Sequence, residues 1–316
     1  MSMQPLVTVI IPCYNAASTV AASIASARAQ DYRPIEIVAV DDKSRDDTVA
    51  VLQSLAGNDL AIIACEVNGG AAAARNRAIA IAKGKYLAFL DADDTWTTDK
   101  LTHQIALLEA DPAMVMVGCR ADVLRLSGAR ESVNIDRVPP QGPDAWRTLL
   151  HHSFYVPSVI VARSDVARKI GGFTAPMRAG EDDQDFSIRM ALEGGVGFVD
   201  ACLCTMYQQP NSLSIVNRSR EYEILLPMIV RYCDALRDRL SAAERRHILG
   251  ARYASIGRNV YSGRAALGAR LICQAILAGN EPMTNLWYLI TASPWARRLK
   301  AKLCHSAAGA ETLART

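Results

Sequence analysis

Several features that would assign this 316-residue chain to a large class are missing from it. No run reaches the roughly 18 apolar residues that a membrane-spanning helix needs, the nearest being the short stretch from Leu286 to Ile290. The opening MSMQPLVTVIIPCYN carries neither a basic segment ahead of a long apolar one nor a small-residue cleavage site. It is therefore not read as a secretory signal, and the protein is expected to stay in the cytosol. There is no GxxxxGK[ST] loop and no GxGxxG turn, so P-loop and Rossmann cofactor sites have no foothold. The eight cysteines include no CxxC pair and read as reduced core thiols, with Cys202 and Cys204 at alternate positions of one apolar strand. Charged residues are 21% of the chain and the net charge is +3, which excludes a general nucleic-acid binder.

What is present is enough apolar material, 50% of residues, to bury a full core. The charge is unevenly placed. Residues 217–316 hold 16 Lys/Arg against 7 Asp/Glu, while residues 1–216 hold 19 against 25. The expected organisation is a domain over 1–216 and a basic helical extension over 217–316.

Through the first 120 residues, short β-rich runs alternate with longer Ala/Leu-rich segments, the pattern of a mostly parallel sheet covered by helices. Strands are expected at Leu6 to Ile11, Ile35 to Val40, Leu60 to Cys65, Lys85 to Leu90 and Met114 to Cys119. Helices are expected at Ala17 to Ala29, Asp46 to Leu55, Ala71 to Ala82 and Thr98 to Glu109. Residues 121 to 155, polar with Pro and Gly, read as a loop or insertion. Beyond them come a strand at Ser158 to Ala162, a turn at Gly171 and Gly172, and an acidic cluster ahead of a helix through Leu192. From Arg218 onward only helices are expected, with Ala251 to Ala278 forming a hairpin around Gly257 and Gly268.

In parallel α/β sheets ligands bind beyond the carboxyl ends of the strands, and the polar clusters fall there. Pro12, Cys13, Tyr14 and Asn15 follow the first strand, Asp41 to Ser44 the second, and Asp91 to Asp94 the fourth. Asp91 and Asp93, two apart on a rigid edge, can share a hard divalent ion that also meets phosphate oxygens; the plain alternative is a polar turn. Asp42 can accept from a base imide or a ribose hydroxyl, while Asp41 with Ser44 can make a turn and Asp46 can cap a helix. Gly69 and Gly70 permit close approach of the helix carrying Arg75 and Asn76, which would put a cation beside phosphate or base. Glu181, Asp182, Asp183 and Asp185, four acids in five residues, repel one another unless a cation, a proton or a helix N-terminus offsets them. Such a cluster can supply the carboxylate that takes a proton from an attacking hydroxyl.

Taken in order, VTVIIPCYNA, VAVDDKSRDDT, GGAAAARNRAI, KGKYLAFLDADDTW with DKL, IGGF and DDQDFSIRM resemble the family 2 glycosyltransferases, which have the GT-A fold. The likeness covers about two thirds of the chain. It implies a nucleotide diphosphate sugar donor, a UDP-sugar by preference, a Mn or Mg ion, a saccharide or lipid-linked acceptor, and transfer with inversion in surface polysaccharide or glycan synthesis. By it, Pro12, Tyr14, Asn15, Asp42, Arg75 and Asp91 line the nucleotide-sugar pocket, and Asp93 with Asp91 holds the metal. Counting back from Arg189 makes Asp183 the base, with Asp182 as the alternative. One departure is Gln209 in YQQPNSLS, where many members carry a His; an amide is a weaker ligand than imidazole for such an ion.

Two other readings compete. Asp91 to Thr95 reads DxDxT, as in haloacid-dehalogenase-like phosphatases, but this leaves the first two motifs unexplained. The second is a catalytically silent sugar-nucleotide binder, supported by Gln209. The basic end, with Trp287, Tyr288 and Trp295 beside Arg297, Arg298, Lys300 and Lys302, suits peripheral contact of 281–316 with the inner face of a membrane, or equally a solvated helical cap.

Overall fold

The computed structural model describes residues 4–132, 139–175, 181–209, 221–261 and 265–291. By their contacts they fall into two compact units, Met1–Val216 and Asn217–Thr316.

In the first unit, nearly continuous apolar runs form β1 (Val7–Cys13), β2 (Ile35–Asp41), β3 (Leu60–Ala64) and β4 (Tyr86–Phe89). β1, β4 and most of β2 are buried, as expected where helices cover a parallel sheet, while β3 at the sheet edge is partly exposed. Between them lie α1 (Val20–Arg28), α2 (Thr48–Ser54) and α3 (Ala71–Ile81). A two-residue strand β5 (Thr95–Trp96), α4 (Lys100–Ala110) and the long β6 (Met114–Leu124) follow. Then come β7 (Arg130–Ser132), α5 (Ala145–His151), a 3-10 turn (Pro157–Val159), β8 (Val161–Arg163), α6 (Ser164–Lys169), α7 (Glu181–Glu193) and β9 (Gly195–Tyr207).

The sheet is mixed, in the order β3-β2-β1-β4-β8-β6-β9-β5, with β7 paired to β6. β1 is flanked by β2 and β4, all parallel, so the three polar clusters that follow these strands emerge along one edge. β8 is inserted antiparallel between β4 and β6. β5 pairs antiparallel with Thr205 and Cys204 of β9, which brings the end of β9 back to the acidic turn after β4.

Two local expectations are corrected. Residues 121–155 are not simply a loop: β6 runs on to Leu124, pairs with β7, and α5 follows; the exposed face of this hairpin hid its strand character. The strand expected at Ser158 begins only at Val161, after the 3-10 turn, because Pro157 has no N–H to give a ladder and its φ suits a turn. The seven described cysteines are all free thiols.

The second unit is helical: α8 (Glu221–Ala235), α9 (Ala242–Tyr261), α10 (Ala265–Leu277) and α11 (Pro282–Thr291). The helices α9 and α10 form the expected hairpin, and Gly257 explains their closeness. A Cβ there would stand 2.8 Å from Ile272 Cγ1 and 3.1 Å from the Gly268 carbonyl oxygen, so a larger residue would push the helices apart. No described helix is long and apolar enough to cross a membrane.

Candidate active site

The site is built on the edge where β1, β2 and β4 end. Asn15 (φ 51°) and Lys43 (φ 62°) take left-handed conformations after β1 and β2, and the two turns lock together. Asn15 N–H donates to Ser44 Oγ at 2.9 Å, and Asn15 Oδ1 accepts from Arg45 N–H at 2.8 Å. The Asp41–Ser44 turn forms as read, with Ser44 N–H on Asp41 Oδ2 at 3.0 Å. Asp46 accepts from Thr48 N–H at 3.1 Å, at the first residue of α2. Tyr14 is left exposed at the rim and Pro12 is half-buried.

Asp42 is buried, and both of its carboxylate oxygens are engaged. Gly69 N–H donates to Oδ1 at 2.9 Å and Gly70 N–H to Oδ2 at 2.6 Å. The carboxylate thus binds the positive end of α3. Gly70 sits at φ 86°, ψ 166°, a conformation nearly reserved for glycine. The glycine pair therefore serves the anchoring of a helix to Asp42, which the sequence reading did not foresee.

That anchoring sets where Arg75 lies. Its guanidinium is almost fully buried, with Nη2 2.6 Å from Asp91 Oδ1 and Nη1 3.0 Å from Asp182 Oδ2. The guanidinium joins the strand-end aspartate to the acidic helix. Beneath it lies Phe173, whose ring centre is 5.1 Å from the guanidinium carbon. Phe173 stacks on Phe186 at 4.2 Å, and Phe89 meets both edge-on. This apolar floor shields the guanidinium and the buried Asp182 pair, which strengthens that pair, while Asp91 stays partly exposed. Asn76, next to Arg75, clasps the Gly171–Gly172 turn by donating to Phe173 O and accepting from Phe173 N–H, both at 2.7 Å.

The acids respond to this crowding. Burial first, and then the charge of Asp91, push Asp93 up to about 6. The same two causes push Asp94 up to about 8. In α7, burial raises Asp182 against the pull of Arg75. Burial and then the charge of Asp182 hold Asp183 well above the usual carboxylate range. Asp185 plays a different part: its Oδ2 accepts from Thr174 Oγ1 at 2.6 Å and from Arg189 Nε at 2.8 Å. The acidic cluster thus lies within the first turns of α7 rather than ahead of it, with one member paired along the helix.

Among the described residues no group of three or more His, Cys, Asp or Glu side chains encloses a metal position. The donor set nevertheless suits a hard divalent ion. Asp91 and Asp93 offer oxygen donors on one turn, and the charged form of Asp93, disfavoured first by burial and then by the charge of Asp91, is what a cation would stabilise. Two carboxylates with the rest of the shell from phosphates and water is how Mg-type ions are usually held. Gln209 lies half-buried just after β9; the segment 210–214 that completes its motif is outside the described residues.

Asp94 was read only as a member of the strand-end cluster, and Ser158 was missed in the sequence. Both are buried against the Asp91 turn, and nothing in the composition around Ser158 marks it.

The sheet order, the strand-end acids and the facing acidic helix define a GT-A glycosyltransferase fold, and solved structures of that class superpose on the chain. S. aureus TarS 1–349 in complex with UDP-GlcNAc does so with TM-score 0.64 at 18% identity, over 86% of this chain and 81% of that one. The mannosyltransferase PcManGT from Pyrobaculum calidifontis, in complex with GDP-Man and Mn2+, does so with TM-score 0.61 at 20% identity, over 95% and 84%. The model of glycosyl transferase family 2 matches residues 8–170, just over half of the chain. The chain belongs to that family. It is 43% identical over 106 residues to the UDP-Glc:alpha-D-GlcNAc-diphosphoundecaprenol beta-1,3-glucosyltransferase WfaP of Escherichia coli. That match takes in 34% of this chain and spans 42% of the relative's length.

Proposed function

We propose that the chain is a metal-dependent, inverting glycosyltransferase that moves a sugar from a UDP-sugar to an acceptor hydroxyl in surface polysaccharide or glycan synthesis. The observation that carries this reading is the double ion pair of Arg75, which sets the Asp91 turn and the acids of α7 on two sides of one site. A donor diphosphate at the turn then has its anomeric carbon facing a carboxylate.

Each group has a role. Pro12, Tyr14, Asn15 and Asp42 shape the nucleotide pocket, Asp42 by holding the amino end of α3 in its wall. Asp93 and Asp91 hold Mn or Mg, which when bound neutralises charge on the departing diphosphate. Arg75 occupies Asp182, leaving Asp183 to take the proton of the acceptor hydroxyl. Its elevated proton affinity makes it a stronger base than a solvated aspartate.

UDP-Glc in the name of the curated relative and UDP-GlcNAc in the TarS complex support a UDP-sugar; Mn2+ in the PcManGT complex supports the metal. The relative's diphosphoundecaprenol acceptor favours a lipid-linked acceptor and peripheral membrane contact through 281–316. Exposed Leu277, Met283 and Leu286 in the helical unit fit such contact; residues 292–316, with Trp295 and the basic cluster, lie outside the described residues. The phosphatase and silent-binder readings are not favoured, since the family and the superposing folds are glycosyltransferases. A thermal-shift screen of nucleotide sugars with and without Mn2+ tests the reading, since a true donor stabilises the fold by mass action.

A further inference from the structure

The turn that carries Asp91 and Asp93 is held by a residue from a distant part of the chain. Ser158 lies in the 3-10 turn Pro157–Val159 and is completely buried. Its Oγ accepts from the backbone N–H of Asp91 at 3.0 Å. The same hydroxyl donates to Asp94 Oδ2 at 2.6 Å. One side chain thus grips both ends of the Asp91–Asp94 turn, which closes on itself through Asp94 N–H to Asp91 O at 3.1 Å.

Ser158 is itself held from behind. Trp96 Nε1–H donates to its carbonyl oxygen at 2.8 Å, and Gln104 Nε2 donates to the carbonyls of Val159 and Val117, each at 2.9 Å. On the far side, Tyr207 N–H reaches Asp94 Oδ1 at 3.4 Å. Among the described residues, the serine hydroxyl is the group in this chain of contacts that bonds the N–H of Asp91. Remove its hydroxyl and two groups, the Asp91 N–H and one oxygen of the buried Asp94, lose this partner together. A hydrophobic residue of the same size could fill the space but could not fix the turn.

We propose that Ser158 is a positioning residue for the acidic turn. By bonding Asp91 N–H and Asp94 at once, it fixes the spacing of the Asp91 and Asp93 carboxylates for the divalent ion. This rests on the proposed role of Asp91 and Asp93 as metal ligands. Partners of this kind, which orient a ligand without touching the metal, commonly matter to affinity by about 10- to 100-fold.

The test compares wild type with Ser158→Ala, with Ser158→Thr, which keeps the hydroxyl, and with Ser23→Ala, which removes another buried serine hydroxyl, one that makes no hydrogen bond. Two quantities are read on the full chain: UDP affinity by calorimetry with and without Mn2+, and hydrogen exchange of the Asp91 amide by NMR. Ser158→Ala is expected to weaken Mn2+-dependent UDP binding about tenfold and to speed Asp91 exchange, with metal-free UDP binding unchanged. Ser158→Thr recovers at least part of both effects, and Ser23→Ala shows neither. Asp91 exchange at the wild-type rate in Ser158→Ala overturns the proposal, and so does faster exchange with undiminished Mn2+-dependent affinity. If wild type shows no Mn2+-dependent UDP binding, the functional reading fails separately, and the exchange rate alone decides whether Ser158 fixes the turn.

Discussion

Asp91 and Asp182, one at the end of a strand and the other in the first turn of a helix, are held by the two terminal nitrogens of one guanidinium, that of Arg75. Three elements distant in sequence thereby become one rigid unit. Arg75 reaches them because Asp42 anchors the amino end of its helix through Gly69 and Gly70.

Replacing Arg75 by Met leaves Asp182 buried without its cation. Breaking a buried pair on one side costs about 3–5 kcal/mol, so urea denaturation of Arg75→Met is expected to show a loss of that order. Adding Asp182→Asn to this variant should restore part of it. If Arg75→Met is as stable as wild type, the pair does not organise the site.

Gly70 sits where only glycine rests without strain. Gly70→Ala is expected to lower stability by about 1–3 kcal/mol, measured by chemical denaturation. Ala at this place also tilts the amide that Asp42 accepts from, so nucleotide binding should weaken along with stability.

The acidic turn sets a pH dependence with a definite sign. Asp93 is raised from 3.8 to about 6, so between those values the folded chain holds a proton that the unfolded chain has released. Stability from this group is therefore present at low pH and lost as pH rises through that window. Asp94, raised to about 8, extends the same trend upward. Melting of the metal-free protein should show Asp93→Asn more stable than wild type at pH 7.5, with the gap closing toward pH 4. An equal gap at both pH values would contradict the assignment.

The two candidate bases separate by substitution. Asp183→Asn is expected to keep donor binding and to lose transfer by several orders of magnitude, whereas Asp182→Asn loses its pairing with Arg75 and should lose stability first. Steady-state transfer and donor titration on both variants decide it; full transfer by Asp183→Asn moves the base to Asp182.

Much of this was legible in the residues. The apolar runs of β1 to β4 and the Ala-rich helices between them follow from periodicity alone, and parallel strands ending in polar clusters placed Asp42, Asp91 and Asp93 at one edge. The partners of those residues were not legible. That Asp42 spends its oxygens on Gly69 and Gly70, or that Arg75 pairs with Asp91 and Asp182, depends on approaches between elements 16 to 107 residues apart. Ser158 gave no signal because a buried serine in a short apolar stretch looks like any other. The hairpin of β6 and β7 was hidden because its exposed face carries polar residues that also suit a loop.

The central claim is that Asp93, beside Asp91, holds a cation that in turn holds a nucleotide diphosphate. Calorimetric titration of UDP into wild type and Asp93→Ala, each with and without Mn2+, tests it most directly. The account predicts that Mn2+ strengthens UDP binding to wild type at least tenfold and leaves Asp93→Ala unchanged. Equal enhancement by Mn2+ in both proteins would contradict it.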